Sequence, residues 1–290
     1  MLIKHLVIAG GGQTMLQALG VIQTLENNDL LQRSNIKTIF GTSAGGLVAV
    51  LYAFNFDWQT INDFMIKRPW HDVFPVNVQN IFDAYTNKGI YTEKVFEKFL
   101  KPLLDAKDLP LNITLQAFFD YSNIEIHFFT FEINEFNVED ISYLSNPELK
   151  LLHALQMTCG IPVLISPICI DNKCYIDGGM VSNYPLNFCI EKNPNLEEIL
   201  GIKNKYQVET KNVVSSNSNL LDFVMSFLFK ILYSFSTSDK QTKIPYEIQC
   251  DASIMSIQVL KTAIYNMDVR NELLESGINT GKEFIKNFTK

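Results

Sequence analysis

Short apolar runs, glycines and helically spaced apolar positions alternate twice near the start of the chain. Lys4–Ala9 predicts a strand that ends in three glycines, and Thr14–Asn27 carries its apolar side chains at helical spacing. Ile36–Phe40 predicts a second strand, which ends at Gly41, and Ala44–Phe54 predicts a second helix. Because strand, glycine turn and helix follow one another twice, we expect a βαβα unit with parallel strands.

Helices and strands continue to mix through the rest of the chain, with less regular spacing. The pattern predicts helices over Trp58–Lys67, Thr92–Leu104, Pro147–Met157 and near Asn271–Phe288, and strands over Ile124–Glu132, Cys174–Ile176 and Leu196–Ile202. This mixture indicates the α/β class. No repeat, low-complexity tract or long linker divides the sequence, so we expect one continuous domain.

The most apolar window, Leu220–Phe235, is too short to cross a bilayer and carries Asp222 and Lys230. Its apolar side chains wrap nearly the whole of the predicted helix, which favours burial in the core. The alternative is a lid over the active site that opens onto lipid, because polar segments flank the window on both sides. Both interpretations stay open at the level of sequence.

Composition excludes two classes of protein. With 290 residues, of which 47% are hydrophobic and 19% charged, the chain can bury a large core and is not an extended disordered protein. The net charge of −7 provides no basic footprint for a phosphate backbone, so we expect no nucleic-acid partner.

Cysteine and histidine usage indicates neither a metal site nor a secreted protein. The five cysteines form no Cys-x-x-Cys pair, and the four scattered histidines add no zinc-ligand spacing. We therefore expect no bound metal and reduced, mostly buried thiols, as in a cytosol-like compartment. The apolar stretch at the N-terminus is too short for a signal peptide, so we expect a cytoplasmic location.

Residues Gly41-Thr42-Ser43-Ala44-Gly45 match G-x-S-x-G, the nucleophile elbow. Such a turn lifts the serine hydroxyl above the strand and sets it at a helix N-terminus, where the positive dipole end favours developing negative charge. Glycines two residues before and after the serine let neighbouring segments approach where side chains would clash. The alternative interpretation is an ordinary tight turn that happens to contain a serine.

A serine nucleophile needs an oxyanion site, and Gly10-Gly11-Gly12 is the candidate. Three consecutive glycines leave the backbone N–H groups uncovered and able to converge on an oxyanion. A dinucleotide-binding loop fits less well, because Met15 stands where the third glycine of G-x-G-x-x-G belongs. A phosphate-binding Walker loop fails too, because no Gly-Lys-Ser/Thr follows.

The histidines do not compel a catalytic triad. His5, His71, His127 and His153 all precede residue 154, whereas the order in α/β-hydrolases is Ser, Asp, His. His153 would require an upstream acid such as Asp140. His127 lies inside an apolar strand, where a packed, hydrogen-bonded histidine is expected.

Asp177 is the better candidate for the base. It stands at the end of a short predicted strand, directly before Gly178 and Gly179, so its carboxylate is free to meet another residue at a strand end. By itself Asp-Gly-Gly is typical of a plain turn. The other motifs of the chain make a functional carboxylate the favoured interpretation of Asp177.

Together these motifs resemble those of the patatin-like phospholipase family. GGG after the first strand, GTSAG after the second, TCGIP at 158–162, and DGG at 177–179 followed by NYP at 183–185 match the family in order and spacing. The resemblance extends over about residues 3–205 and is closest to members encoded by large DNA viruses. It implies a three-layer α/β/α fold with a mostly parallel central sheet. A viral relationship would imply a location in the host cytosol or the virion.

The resemblance also implies roles for the site residues. Ser43 would be the nucleophile, Asp177 would activate it without a catalytic histidine, and the Gly10, Gly11 and Gly12 amides would bind the oxyanion. Gly41, Gly45, Gly178 and Gly179 would support the elbow and the aspartate loop. Residues 1–205 would form the catalytic core, and 206–290 a helical C-terminal extension packed on the same domain. The activity implied is that of a lipid acyl hydrolase of the phospholipase A type, without a cofactor or metal.

One departure bears on the substrate. The family usually places a basic residue and a glycine just after the glycine triplet, where this chain has Thr14 and Met15. The absence of the basic residue argues against recognition of a phosphate head group by this loop, but it does not affect the residues expected to cleave the ester. It favours the first alternative, a neutral-lipid or small-ester hydrolase on the same fold. A second alternative is a non-catalytic lipid-binding protein. The expected partner is a lipid or phospholipid, with transient contact at a membrane surface.

Overall fold

A central sheet collects strands from both ends of the sequence. The structure, a computed structural model, describes residues 1–75, 78–207, 214–238, 242–253 and 256–288. The strands are β1 His5–Ile8, β2 Thr38–Thr42, β3 Gly89–Tyr91, β4 Glu125–Glu132, β5 Asn137–Ile141, β6 Val163–Ile165, β7 Ile168–Ile170, β8 Lys173–Asp177, β9 Ile199–Gln207 and β10 Tyr246–Ser253. The helices are α1 Met15–Asn27, α2 Ala44–Ala53, α3 Trp58–Lys67, α4 Trp70–Val73, α5 Val78–Asn87, α6 Glu93–Asp105, α7 Leu115–Ser122, α8 Leu151–Thr158, α9 Leu186–Lys192, α10 Leu220–Ser238, α11 Ile257–Tyr265 and α12 Met267–Phe288.

Within the described ranges, the main sheet contains eight strands. Strands β10, β9, β1, β2 and β4 lie side by side in that order and run parallel. Strands β5 and β8 pair antiparallel with β4, and β7 pairs antiparallel with β8. The predicted α/β class with a mostly parallel central sheet is therefore confirmed.

Two strands of this sheet share one edge of β4. Phe129 pairs with Thr42 of β2, and the next residue, Thr130, pairs with Asp177 of β8. Both Phe129 and Thr130 also pair with the continuous strand β5, which must occupy the opposite edge. Strands β2 and β8 therefore approach each other end to end along β4, and the chain that leaves β2 meets the last residue of β8.

Buried side chains form a core on each face of the sheet. In β1 the side chains alternate: Leu6 and Ile8 join the larger core, and Val7 joins the smaller one. The larger core contains α1, α2, α6 and α8, and α2 is apolar on all sides because it lies between the sheet and neighbouring helices. Helix α9 packs into the smaller core through Leu186. Helices on both faces give the three layers expected.

The segment after residue 206 is tied to the sheet and to α1. Helix α12 packs along α1 so closely that a side chain at Gly277 would meet the backbone of Gln17. The Gln17 amide donates to the Asp251 carbonyl of β10 at 2.8 Å and to the Ser276 hydroxyl of α12 at 3.1 Å. The expectation that this segment is helical was incomplete, because β10 adds a parallel strand to β9.

Several elements lie outside the sequence prediction. The strand predicted at Leu196–Ile202 begins at Ile199 and continues to Gln207. Strands β3, β5, β6, β7 and β10, and helices α4, α5, α7, α9 and α11, were not predicted. The unpredicted strands other than β10 have three to five residues, too few for a periodic signal. Strand β10 depends on pairing with the distant strand β9.

The cysteines also require a correction. Cys169 and Cys174 face each other as a pair in the β7–β8 hairpin and are joined by a disulfide. The expectation of reduced thiols is therefore wrong for this pair, because the register of a short hairpin brings the two together. Cys159, Cys189 and Cys250 are buried free thiols, as expected. Nowhere in the described ranges does a helix combine the length and apolar content needed to span a membrane.

Candidate active site

Ser43 occupies the tight turn between β2 and α2. Its backbone lies at φ 53° and ψ −123°, in the left-handed region that an L-residue rarely adopts. Such strained positions cluster at functional sites, where the surrounding structure maintains them. Ser43 is 6% exposed and immediately precedes the N-terminus of α2. The turn predicted from G-x-S-x-G is present.

Close backbone contacts explain the glycines of this turn. A side chain at Gly45 would meet the carbonyl of Ile8 at the end of β1, and one at Gly41 would lie 2.6 Å from the backbone of Gly45. A side chain at Gly10 would lie 3.0 Å from the Ser43 Cβ. The glycines thus bring β1, β2 and α2 together around the serine.

Thr158 holds the strained serine in place. The Ser43 N–H donates to Thr158 Oγ1 at 2.8 Å, and that hydroxyl donates to the Phe129 carbonyl of β4 at 2.6 Å. Thr158 is fully buried at the end of α8. The sequence pattern included Thr158 only as part of TCGIP, and its spacing gave no sign of this contact.

Asp177 meets Ser43 at the end of β8. The Ser43 side chain lies beside the carboxylate and stabilises its charged form, and the Gly179 N–H donates to Asp177 Oδ1 at 2.7 Å. Asp177 is 4% exposed. Burial raises the pKa of the Asp177 carboxyl to about 6, although the neighbouring Ser43 side chain and the Gly179 N–H oppose the rise. Gly178 lies against the Phe129 carbonyl, where a side chain would clash.

The glycine loop lies beside Ser43, held by two asparagines. The Gly10 N–H donates to the Asn183 carbonyl at 3.0 Å, and the Gly10 carbonyl accepts the amides of Asn183 at 3.1 Å and Asn204 at 2.6 Å. The expectation that all three glycine amides face an oxyanion is therefore corrected for Gly10, because Asn183 occupies its N–H. In the described part of the chain, the N–H groups of Gly11 and Gly12 have no hydrogen-bond partner.

Asn204 is a residue of the site that sequence reasoning missed. It lies on β9, two residues beyond Ile202, which pairs with Ile8 of β1. No local motif surrounds it, and it comes nearly two hundred residues after the loop it holds. Only the register of β9 against β1 brings the two together.

The histidines occupy other parts of the molecule. His127 is fully buried, stacks on Phe40 at 4.3 Å between ring centroids, and lies 2.8 Å from both Asp140 Oδ1 and Glu125 Oε1. Burial alone would lower its pKa, but these two carboxylates raise it above the usual value. His153 lies 3.4 Å from Glu93. No histidine contacts Ser43 or Asp177 among the described residues.

An apolar cavity of about 220 Å³ opens beside Ser43. Its wall includes Met15, Leu16, Leu47, Phe96, Phe99 and Leu164. Met15, one of the two departures from the family pattern, is thus part of an apolar wall, and the other, Thr14, is buried. Cys159 also lines the cavity, and burial followed by the nearby Asp177 charge raises the pKa of its thiol well above the usual value. The thiol therefore stays protonated at neutral pH.

Helix α10 packs against the turn Gly178–Met180 that follows Asp177. Its side chains divide between two environments: Met225 and Phe229 are buried, whereas Phe223 and Phe227 are more than half exposed. Leu220, one turn before Phe223, is 78% exposed. The expectation of burial on all sides is therefore wrong for the outer face of this helix.

Comparison with known proteins gives a family and viral relatives. The family model described as patatin-like phospholipase matches residues 6–190. A probable lipid hydrolase, 463L, of Invertebrate iridescent virus 6 is 23% identical over 190 residues, which cover 65% of this chain and 63% of the relative. The match thus spans less than two thirds of that relative's length. An uncharacterized protein, R571, of Acanthamoeba polyphaga mimivirus is 23% identical over 98% of this chain and 94% of its own.

A solved structure gives the same fold. VipD from Legionella pneumophila superposes with a TM-score of 0.60 at 15% identity, covering 99% of this chain and 67% of VipD. At this identity the likeness shows the architecture alone.

The contacts of Thr158 predict a specific stability effect. Thr158→Val keeps the shape but removes the hydroxyl, so the buried Ser43 N–H and Phe129 carbonyl both lose a partner. We expect the free energy of unfolding to fall by about 2 kcal/mol or more, measured by urea denaturation. Thr158→Ser retains the hydroxyl and is the matched control. Equal stability of the two variants would show that the hydroxyl does not hold the turn.

Proposed function

Because the chain belongs to the patatin-like phospholipase family, we propose that it is a lipid acyl hydrolase of the phospholipase A type that acts through Ser43 and Asp177. The observation that carries the proposal is the position of the Ser43 side chain beside the buried Asp177 carboxylate, whose pKa it lowers. It joins a strained serine at a helix N-terminus to a base, beside an apolar cavity.

In the proposed reaction, Ser43 Oγ attacks the ester carbonyl while Asp177 accepts the hydroxyl proton. The tetrahedral intermediate collapses, the alcohol leaves with the proton from Asp177, and the acyl group stays on Ser43. Water then attacks the acyl-serine and gives its proton to Asp177. Collapse of the second intermediate releases the fatty acid and returns the proton to Ser43.

The environment of the Asp177 carboxylate is suited to a general base. A carboxylate with a pKa of about 6 is mostly ionised at neutral pH, yet it is a stronger base than an ordinary aspartate. The Gly179 N–H fixes Oδ1 at 2.7 Å, so the carboxylate keeps one orientation. A base held this way needs no histidine to mediate proton transfer.

Two features support an oxyanion site next to Ser43. The N–H groups of Gly11 and Gly12 follow β1, which lies parallel to β2, and have no partner in the described ranges. The N-terminus of α2 adds the positive end of a helix dipole. Asn183 and Asn204 hold the Gly10 peptide and would keep the loop in position before substrate binds.

The lining of the cavity favours a second candidate, a neutral-lipid or small-ester hydrolase on the same fold. Met15 places an apolar side chain where the family usually has glycine, and Thr14 replaces the usual basic residue. Fatty-acid release from phosphatidylcholine and from diacylglycerol in matched mixed micelles separates the candidates. A phospholipase A releases fatty acid from phosphatidylcholine, whereas the second candidate cleaves only diacylglycerol. A purely lipid-binding role would not explain why a strained serine lies beside a buried carboxylate.

We further propose that α10 contacts the lipid surface transiently through its outer face. Leu220, Phe223 and Phe227 follow one another at spacings of three and four residues, so they lie on one side of the helix. All three are more than half exposed, and the helix packs on the turn that follows Asp177. An apolar helix face beside the active site would bring the enzyme to its substrate.

Replacement of the proposed dyad should abolish ester hydrolysis. Ser43→Ala removes the nucleophile and Asp177→Asn removes the proton acceptor while keeping the shape, so we expect kcat to fall at least about 1000-fold in each. His153→Ala is the control and should retain near-normal activity. Hydrolysis of a soluble ester by each variant measures the effect. An active Ser43→Ala variant, or a His153→Ala variant as inactive as Asp177→Asn, would contradict the proposal.

Two phenylalanines of α10 provide a matched test of the membrane contact. Phe227→Ser alters the exposed face, so the melting temperature should stay within about 2 °C while activity on vesicles falls and activity on a soluble short-chain ester survives. Phe229→Ser alters the buried face and should lower the melting temperature by several degrees. If Phe227→Ser loses stability and both activities together, the outer face is structural and the membrane contact is wrong.

A further inference from the structure

Part of the cavity beside Ser43 is built by a helix outside the family match. Helix α11 contributes Leu260, Ala263 and Ile264 to the wall, whereas the family model ends at residue 190. The helix packs against α4 and against the turn Gly12–Thr14, so it lies next to the glycine loop. Anything that fills the cavity from Ser43 therefore contacts side chains of α11.

The volume of the cavity corresponds to a defined length of hydrocarbon. An apolar cavity of about 150 Å³ holds one benzene molecule, or about 25 Å³ per carbon, so 220 Å³ would hold about nine carbons of an acyl chain. Ala263 is the smallest side chain that α11 contributes to the wall, and it is 9% exposed. A larger residue at this position would extend into the cavity and shorten the chain that fits.

We propose that α11 sets the acyl-chain length of the substrate, with Ala263 as the specificity-determining residue and medium-chain acyl groups of about nine enclosed carbons as the preferred class. This proposal rests on the proposed function, because the ester carbonyl must lie at Ser43 for the chain to enter the cavity. Longer chains extend beyond the cavity and gain no further apolar contact within it.

Arg270 fixes the position of this wall. Its Nη1 donates to the Ala263 carbonyl at 2.8 Å and to the Ile264 carbonyl at 3.1 Å, both in the last turn of α11. Its Nε and Nη2 donate to the Ile66 carbonyl of α3 at 3.0 Å and 2.6 Å. Carbonyl groups at helix C-termini lack intrahelical partners and carry partial negative charge. The C-terminal ends of α3 and α11 therefore supply the hydrogen-bond acceptors for the Arg270 guanidinium, and the residue is only 6% exposed.

The same guanidinium borders the cavity, so it joins the walls contributed by α3 and α11. Met65 of α3 lies one residue before the Ile66 carbonyl and also lines the cavity. Arg270 is thus a positioning residue that acts through the two helices.

Binding of 1-alkanols to the Ser43→Ala protein tests the proposal without catalysis. The probes are neutral alkanols of four to twelve carbons, which the Asp177 charge does not repel, and titration calorimetry gives their affinities. Affinity should rise about fourfold with each carbon and level off near nine carbons. Ala263→Leu adds three carbons to the wall, so the plateau should move about three carbons shorter. Ile264→Ala removes three carbons and should move it longer.

A control variant and a chain-length profile complete the test. Thr262→Leu introduces the same side chain on the same helix at a position that does not line the cavity, and its plateau should stay unchanged. In the protein with Ser43 intact, kcat/KM for p-nitrophenyl esters should follow the same shifts, with the whole chain-length profile of Thr262→Leu within about twofold of wild type.

The outcomes separate this proposal from the proposed function. If the alkanol plateau shifts but no ester is cleaved, α11 limits the length of a bound chain, and it is the proposed function that fails. If esters are cleaved by the wild-type protein and not by Ser43→Ala, but the alkanol plateau is the same with Ala263, with Ala263→Leu and with Ile264→Ala, the proposed role of α11 is wrong. If Ala263→Leu lowers the affinity equally for alkanols of all lengths, the proposal is also wrong, because the larger side chain would then block the site instead of limiting the length of the bound chain.

Discussion

The end-to-end approach of β2 and β8 along one edge of β4 is the constraint on which the candidate site depends. Thr42 and Asp177 pair with consecutive residues of β4, so Ser43 and the carboxylate meet where the two strands end. The remaining features follow from this junction. The strained backbone of Ser43 is held by Thr158, and the glycine loop lies alongside because β1 is the next parallel strand. Burial at the junction raises the pKa of Asp177, which would give this carboxylate the basicity that the proposed reaction needs.

Sequence patterns predicted the parts of this arrangement that depend on local structure. The first two strand–turn–helix units, the turn at Ser43 and the strand end at Asp177 were found because glycines and apolar spacing mark them directly. Asn204, the pairing of Cys169 with Cys174, and strand β10 were missed, because each depends on register between strands. The burial of α10 was overestimated, since composition alone does not show which face of an apolar helix has a partner.

The C-terminal segment has a larger part in the site than its distance along the chain suggests. It supplies β10 to the sheet, α12 to the surface of α1, and the α11 wall to the cavity beside Ser43. Residues 6–190 carry the family's motifs, and the later helices shape the space that an acyl chain would enter. Under the proposed function, residues 6–190 thus supply the reacting groups and most of the cavity wall, and α11 adds a part of the wall from outside the family match.

The central claim, that Asp177 activates Ser43 without a histidine, is tested most directly by the pH dependence of Ser43 modification by a fluorophosphonate probe, with mass spectrometry locating the adduct. A base acts when deprotonated, so a carboxyl with a pKa of about 6 predicts a rate that is half-maximal near pH 6 and falls about tenfold per pH unit below it. Asp177→Asn should remove this inflection and nearly all of the rate. An inflection near pH 7 that disappears when a histidine is replaced would contradict the account.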